Sequence, residues 1–183
     1  MRTIIRQLPK RRDFLLGRHT IEIGYPWLTY GAIMSLEQIA TLELNVLEFG
    51  GGGSTVFFSR RCKSVKTYES DREWADKIIA VLPPPSNTIV IYSNIHQTLA
   101  AIEKEPLNFY DIVLVDSGPH YSHRRAVLDV VSPLVKLGGY LVLDNYEQRY
   151  LLSYTYKGYD VYTFDDLRYG GRGTKICRKK EEV

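Results

Sequence analysis

Cysteine is scarce in this sequence. Cys62 and Cys177 have no metal-type spacing and are too few for a disulfide framework, so both are expected as reduced thiols in a cytoplasmic protein. Long apolar runs are missing as well. Nothing approaches the roughly 20 residues that span a bilayer, and "FLLG" near the start is too short for a secretory core. Nor does one charge sign dominate: 24 Lys and Arg stand against 21 Asp and Glu, a net charge of +3 that permits an acidic partner without implying one. The dense basic run "RQLPKRR", with Arg6, Lys10, Arg11 and Arg12, reads first as a solvated terminal segment. No internal repeat or low-complexity tract occurs. What remains, 183 residues at 44% hydrophobic and 25% charged, is an ordinary globular composition, enough for one sizeable core and short for two.

Strand and helix patterns alternate along the chain. "TYGAIMSLEQIATLE" carries Ile33, Leu36 and Ile39 at helical spacing. "NVLEF" reads as a short buried strand, and after the glycines "STVFFSRRC" reads as a helix capped by Ser54 or Thr55. "SVKTYE", "TIVIY", "YDIVLV" and "GGYLVLD" are further strands. Between them lie helices in "DREWADKIIAVL", opened by Asp71 and stopped by "PPP", in "HQTLAAIEKE" and in "SHRRAVLDVVSPLV". Continuously apolar strands alternating with helices predict an α/β, Rossmann-like, mostly parallel sheet of about seven strands with helices on both faces. The tail, "YDVYTF" and "TKICRK", predicts a C-terminal antiparallel β-rich hairpin. The expected organisation is one domain: leader and helix at 1–43, a ligand-binding core at 44–145, and a C-terminal helix and hairpin at 146–183.

"LEFGGGGST", residues 47–55, carries the main signal. Gly50 to Gly53 follow a strand and open a helix, a place where a ligand can lie against backbone amides. A dinucleotide would bring its pyrophosphate there, with a ribose-binding acid about 20 residues on, and Glu69 ends the next strand. Glu48, just before the glycines, would repel a pyrophosphate but suits a cofactor with a positively charged amino-acid end. An NAD(P)-dependent oxidoreductase remains the alternative at this point.

These residues resemble those of the class I, Rossmann-like S-adenosylmethionine-dependent methyltransferases, whose first motif is an acid, one residue, then a glycine-rich turn. "VKTYESD" is similar to their second motif. The resemblance is closest to small-molecule O-methyltransferase-like members and covers roughly residues 26 to 180. It implies that Gly50, Gly51 and Gly52, with Ser54 and Thr55, approach S-adenosylmethionine. It further implies that Glu69 grips both ribose hydroxyls, that Glu48 orders the methionine end, that Ser93 and Asn94 meet the adenine, and that Asp116 also borders the cofactor.

The same resemblance directs attention to "VDSGPHYSH" and "LDNYEQ" after the fourth and fifth strands. Asp116, Asp144 and Asn145 are similar to the metal triad of catechol O-methyltransferases, implying Mg2+ as a second cofactor, hard oxygen ligands being suited to such an ion. That family's lysine base is absent here; Pro119 and His120 stand instead, which makes His120 the expected general base, with His123 in reserve and Asp116 and Asp144 beside the chemistry. The lost lysine also leaves open a non-catalytic, methyltransferase-like binding module. "DSGPHY" lacks the Asn/Asp-Pro-Pro-aromatic pattern of base-amino methyltransferases, so a small-molecule acceptor, through a hydroxyl, is expected over nucleic acid. Seven of the 14 tyrosines fall between Tyr146 and Tyr169, where they could line an acceptor pocket or a homo-oligomer interface.

Overall fold

The computed structural model describes residues 20–84, 86–118, 121–148, 151–165 and 173–181, the side chain of Tyr121 excepted. In chain order the elements are α1 (Thr20–Ile23), α2 (Tyr30–Ile39), β1 (Asn45–Phe49), α3 (Gly53–Ser59), β2 (Ser64–Glu69), α4 (Arg72–Val81) and β3 (Thr88–Tyr92). There follow α5 (Ile95–Ile102), β4 (Tyr110–Val115), α6 (Tyr121–Val131), a 3-10 turn (Ser132–Leu134), β5 (Val135–Asp144), β6 (Tyr159–Phe164) and β7 (Thr174–Lys179). The described residues form a seven-stranded sheet in the order β3-β2-β1-β4-β5-β7-β6. Strands β1 to β5 pair in parallel, and β7 runs antiparallel between β5 and β6. The α/β sheet with its C-terminal antiparallel hairpin is the architecture the alternating pattern predicts.

Strand alternation splits the core between two faces. Val46, Val65, Ile112, Leu114, Val142 and Ile176 point to the face packed by Ala32, Ile33 and Leu36 of α2 and by Phe57 and Phe58 of α3. Leu47, Phe49, Tyr68, Val113, Val115, Leu141 and Leu143 point the other way, against Ile102 of α5 and Val127, Leu128 and Val131 of α6. Because β1, β2 and β3 run outward on one side and β4 and β5 on the other, the order reverses between β1 and β4. In open α/β sheets that reversal marks the ligand crevice, at the carboxyl ends of the strands.

Local chemistry sets the helix starts. The Asp71 carboxylate accepts the Trp74 N–H at 2.9 Å to open α4. Asn94 and Gln97 form a reciprocal capping box on α5, each side-chain oxygen accepting the other's backbone N–H at 3.0 Å.

Two sequence expectations fail. Helix α3 is capped by neither Ser54 nor Thr55: Gly52 takes the cap position, and Thr55 sits three residues in, its hydroxyl accepting the Gly52 N–H at 3.0 Å. The helix expected after Tyr146 is also missing among the described residues, which form turns there. Asn145 has a left-handed φ of 52°, and the i to i+3 bonds Gln148 N–H to Asn145 and Leu151 N–H to Gln148 keep the segment in successive turns. Leu151 is buried in the core, with Tyr146, Tyr154 and Tyr156 packed on its edge. Among the described residues no helix is long and apolar enough to cross a membrane.

Candidate active site

The glycine turn sits at the reversal between β1 and β4, and the protein itself uses most of what the glycines offer. Gly50 has φ 90°, and a Cβ there would meet the Asp116 carbonyl oxygen at 2.6 Å, so the β1 and β4 ends can touch only through a residue without a side chain. A Cβ on Gly53 would strike the carbonyl oxygens of Tyr25 and Thr20, which strap across the start of α3. All four glycine amides have acceptors inside the chain. Gly50 donates to the Tyr68 carbonyl (2.8 Å), Gly51 to Glu69 Oε2 (2.7 Å), Gly52 to Thr55 Oγ1 (3.0 Å) and Gly53 to Thr20 Oγ1 (3.3 Å). Trp74, a residue that sequence patterns did not single out, braces the turn by donating its indole N–H to the Gly51 carbonyl at 2.8 Å.

Beneath the turn lies Glu48, fully buried. Its Oε2 accepts from the Thr55 hydroxyl (2.5 Å) and the Thr67 hydroxyl (2.7 Å), while Oε1 is buried without a hydrogen-bond partner. Burial pushes this carboxyl up from 4.5 to about 7, against the opposing pull of neighbouring hydroxyls and with a smaller upward push from Asp116. Glu69, also buried, is turned onto the glycine turn. Besides the Gly51 amide on Oε2, its Oε1 accepts the N–H groups of Ser70 (2.7 Å) and Asp71 (2.8 Å). A carboxylate has about four lone-pair sites, so the site remaining by this count lies on Oε2.

On the opposite face of the same strand ends, a solvent-open cleft lies between α5 and α6. Phe49 and Tyr68, stacked at 5.6 Å, lie along it; Ser93, Thr98, Ser117 and His123 line its sides. The Ser93 and Thr98 hydroxyls bond each other at 2.7 Å, whereas Ser117 Oγ is buried without a partner. The cleft therefore has an aromatic floor and polar walls, the chemistry that holds a flat heterocycle.

Arg124, reaching in from α6, ties the ends of β4 and β5 together. Its Nε donates to the Ser117 carbonyl (2.9 Å) and Nη1 to the Asp144 carbonyl (2.8 Å) and Asn145 Oδ1 (3.0 Å). Nη2 reaches the Asp116 carbonyl (3.2 Å) and pairs with Asp116 Oδ1 at 2.6 Å. The Asp144 carboxylate accepts from the Thr174 hydroxyl at 2.9 Å, with the Arg124 guanidinium near enough to exert a smaller pull on it. Burial first, then the nearby Asp116 carboxylate, push Asp144 well above the ordinary aspartate range, and Asp116 is itself raised by burial against the pull of Arg124.

A family model described as a methyltransferase domain matches residues 47–146, which is 100 of the 183 positions and includes the glycine turn, Glu69, Asp116 and Asp144. The chain belongs to the class I methyltransferases. No curated protein matches it in sequence. Among solved structures, it is similar to an O-methyltransferase from Bacillus cereus in complex with SAH, at TM-score 0.67 and 16% identity over 97% of this chain and 94% of that one. It is similar to an rRNA methylase from Streptococcus thermophilus, at TM-score 0.64 and 16% identity over 85% and 100%. A tRNA (m1A58) methyltransferase from Aquifex aeolicus gives TM-score 0.64 and 14% identity over 95% and 77%. At such identities the likenesses establish the shared fold.

In this methyltransferase the predicted residues divide into three groups. Glu48, Gly50, Gly51, Gly52, Thr55, Glu69, Ser93 and Asp116 converge on the carboxyl ends of the strands, Ser93 in the cleft wall. Others have these places: Ser54 lies buried in the first turn of α3, its hydroxyl among those that pull the Glu48 carboxyl down, Asn94 caps α5, and His123 lines the cleft. His120 lies outside the described residues, as does the basic leader. The expected metal triad does not fit a divalent cation as it stands, because a guanidinium bonds Asp116 and Asn145 while the Asp144 carboxylate faces Thr174. Among the described residues no cluster of three or more His, Cys, Asp or Glu could hold a metal ion.

Proposed function

We propose that the site binds S-adenosylmethionine and that the protein transfers its methyl group to a hydroxyl of a small-molecule acceptor. The observation that carries the reading is the unpartnered, fully buried Glu48 Oε1 beneath a turn whose amides are already satisfied. Such a site lacks the free N–H groups a pyrophosphate needs and offers a lone acceptor for an ammonium. This favours an amino-acid-bearing nucleoside over NAD(P).

When bound, S-adenosylmethionine supplies a methyl carbon whose bond to sulfur breaks, the electron pair staying on sulfur, as the acceptor oxygen forms the new bond. On this reading Glu48 takes the ammonium of the methionine end and Glu69 takes a ribose hydroxyl through its remaining Oε2 site. Ser93 and Ser117 face the adenine from the cleft walls. His120, four positions after Asp116, accepts the acceptor's proton. The carboxyl groups of Glu69, Asp116 and Asp144, gathered at one end of the sheet, make a poor seat for a phosphate backbone, which supports a small acceptor. The rRNA and tRNA methylases among the similar structures favour a nucleic-acid acceptor as the second reading.

Calorimetry with SAH and NAD, followed by transfer of labelled methyl to hydroxylated small molecules, rRNA and tRNA, tests both. Binding of SAH but not NAD, with label on a small hydroxyl compound only, is the expected result. Label on RNA alone selects the second reading, and heat with NAD alone overturns the cofactor assignment.

A further inference from the structure

Arg124 is buried, 6% exposed, and gathers five oxygens from the ends of β4 and β5, as many acceptors as a guanidinium has N–H groups. Two of them, Asp116 Oδ1 and Asn145 Oδ1, belong to side chains that a divalent cation would need. A hard cation takes its oxygen ligands at roughly 2.1 Å in near-octahedral array, and at these ligands it would lie against a charge that is never neutralised. Asp144, the third expected ligand, gives Arg124 its main-chain carbonyl while its carboxylate bonds Thr174.

We propose that Arg124 is the resident cation of this site, a positioning residue that holds Asp116 and Asn145 where the expected triad would have held a metal ion, so that methyl transfer by this chain needs no divalent metal. The activity part rests on the methyltransferase reading; the binding part does not. One guanidinium does the mechanical work of an ion, fixing two strand ends in register, and supplies the positive charge that offsets Asp116. It cannot act as a Lewis acid toward an acceptor oxygen. Without a metal ion to acidify the acceptor hydroxyl, its proton must leave to a side-chain base, and the rate should fall as that base is protonated at low pH.

The test titrates Mn2+, followed by its paramagnetic resonance, into the wild-type protein and into Arg124→Ala and Arg124→Lys, with thermal midpoints measured in Mg2+ and in EDTA. In the wild type, no Mn2+ binding in the low-millimolar range and a midpoint indifferent to EDTA are expected. Arg124→Ala leaves Asp116, Asn145 and Asp144 without their cation, so its midpoint should fall and recover with Mg2+ or Mn2+, with Mn2+ affinity up about tenfold or more over wild type. Arg124→Lys keeps a charge and should show no metal rescue. Stoichiometric Mn2+ binding by the wild type overturns the proposal, as does a folded Arg124→Ala that gains no metal affinity, or wild-type methyl transfer lost in EDTA and restored by Mg2+. Should Arg124→Ala not fold, the wild-type titration decides alone. Failure of SAH to bind would sink the methyltransferase reading while leaving every metal measurement readable.

Discussion

The two halves of the site solve the same problem with opposite charges. At the ends of β1 and β2 an anion gathers donors: Glu69 draws in three backbone N–H groups, and Glu48 draws in two hydroxyls. At the ends of β4 and β5 a cation gathers acceptors, Arg124 holding three carbonyls, an amide oxygen and a carboxylate. The first half is left with spare acceptor capacity, in Glu48 Oε1 and Glu69 Oε2, which suits a ligand rich in donors. The second is saturated, so its role is to hold shape.

The largest effect that breaks this comparison belongs to the turn. Gly53→Ala drives a methyl into the Tyr25 and Thr20 carbonyls and should cost roughly 3 kcal/mol or more, read as a collapse of the urea midpoint. Gly52→Ala, whose Cβ finds nothing closer than 3.5 Å, should cost under about 1 kcal/mol in the same assay. Equal losses would mean that the strap does not rest on Gly53.

Next in size is the pH dependence of Glu48. Its carboxyl titrates at about 7 in the fold, above its ordinary 4.5, so the fold favours the protonated form. Stability from this group is complete below pH 4.5 and is lost as pH rises through about 7, by on the order of 3 kcal/mol in all. Glu48→Gln should remove that slope, measured as the wild-type-minus-variant difference in unfolding free energy at pH 5 and pH 7.5. A wild type whose SAH affinity rises across the same window would sharpen the assignment of Glu48 to a cationic ligand group.

Glu69→Ala should weaken SAH binding by about 1.5–3 kcal/mol, roughly ten- to a hundredfold, measured by calorimetry. Smallest is Ser117→Ala, which removes an unpartnered hydroxyl. It should leave the thermal midpoint unchanged or slightly raised, since a buried hydroxyl without a partner stabilises nothing, and lower SAH affinity only a few-fold.

The cofactor half was readable in the sequence because its signals are local. An acid, a glycine run and a second acid at a strand end lie within 22 positions, residues 48 to 69, and parallel pairing brings them together without further information. Even so, the sequence reads the glycines as bare backbone kept for a ligand, whereas their amides are taken by Tyr68, Glu69, Thr55 and Thr20. The acceptor half resisted because its decisive residue is one of two adjacent arginines. Arg124 and Arg125 look alike in "SHRRAV", yet a helix turns about 100° per residue, sending Arg124 into the site and Arg125 outward to pair with Asp129 at 2.9 Å. Asn94 shows a local signal the sequence also holds: with Gln97 three residues later it completes a cap.

Strand β7 sits between β5 and β6 although it follows both in the chain. A nascent polypeptide leaving the ribosome will therefore have made every other strand of this sheet while an open slot persists beside β5, with the unpaired edges of β5 and β6 exposed to neighbours. Only arrival of residues 174–179 seals it. Synthesis that stalls before residues 174–179 are made should leave a species prone to cross-pairing with other chains, and chaperone demand should peak there rather than at the glycine turn.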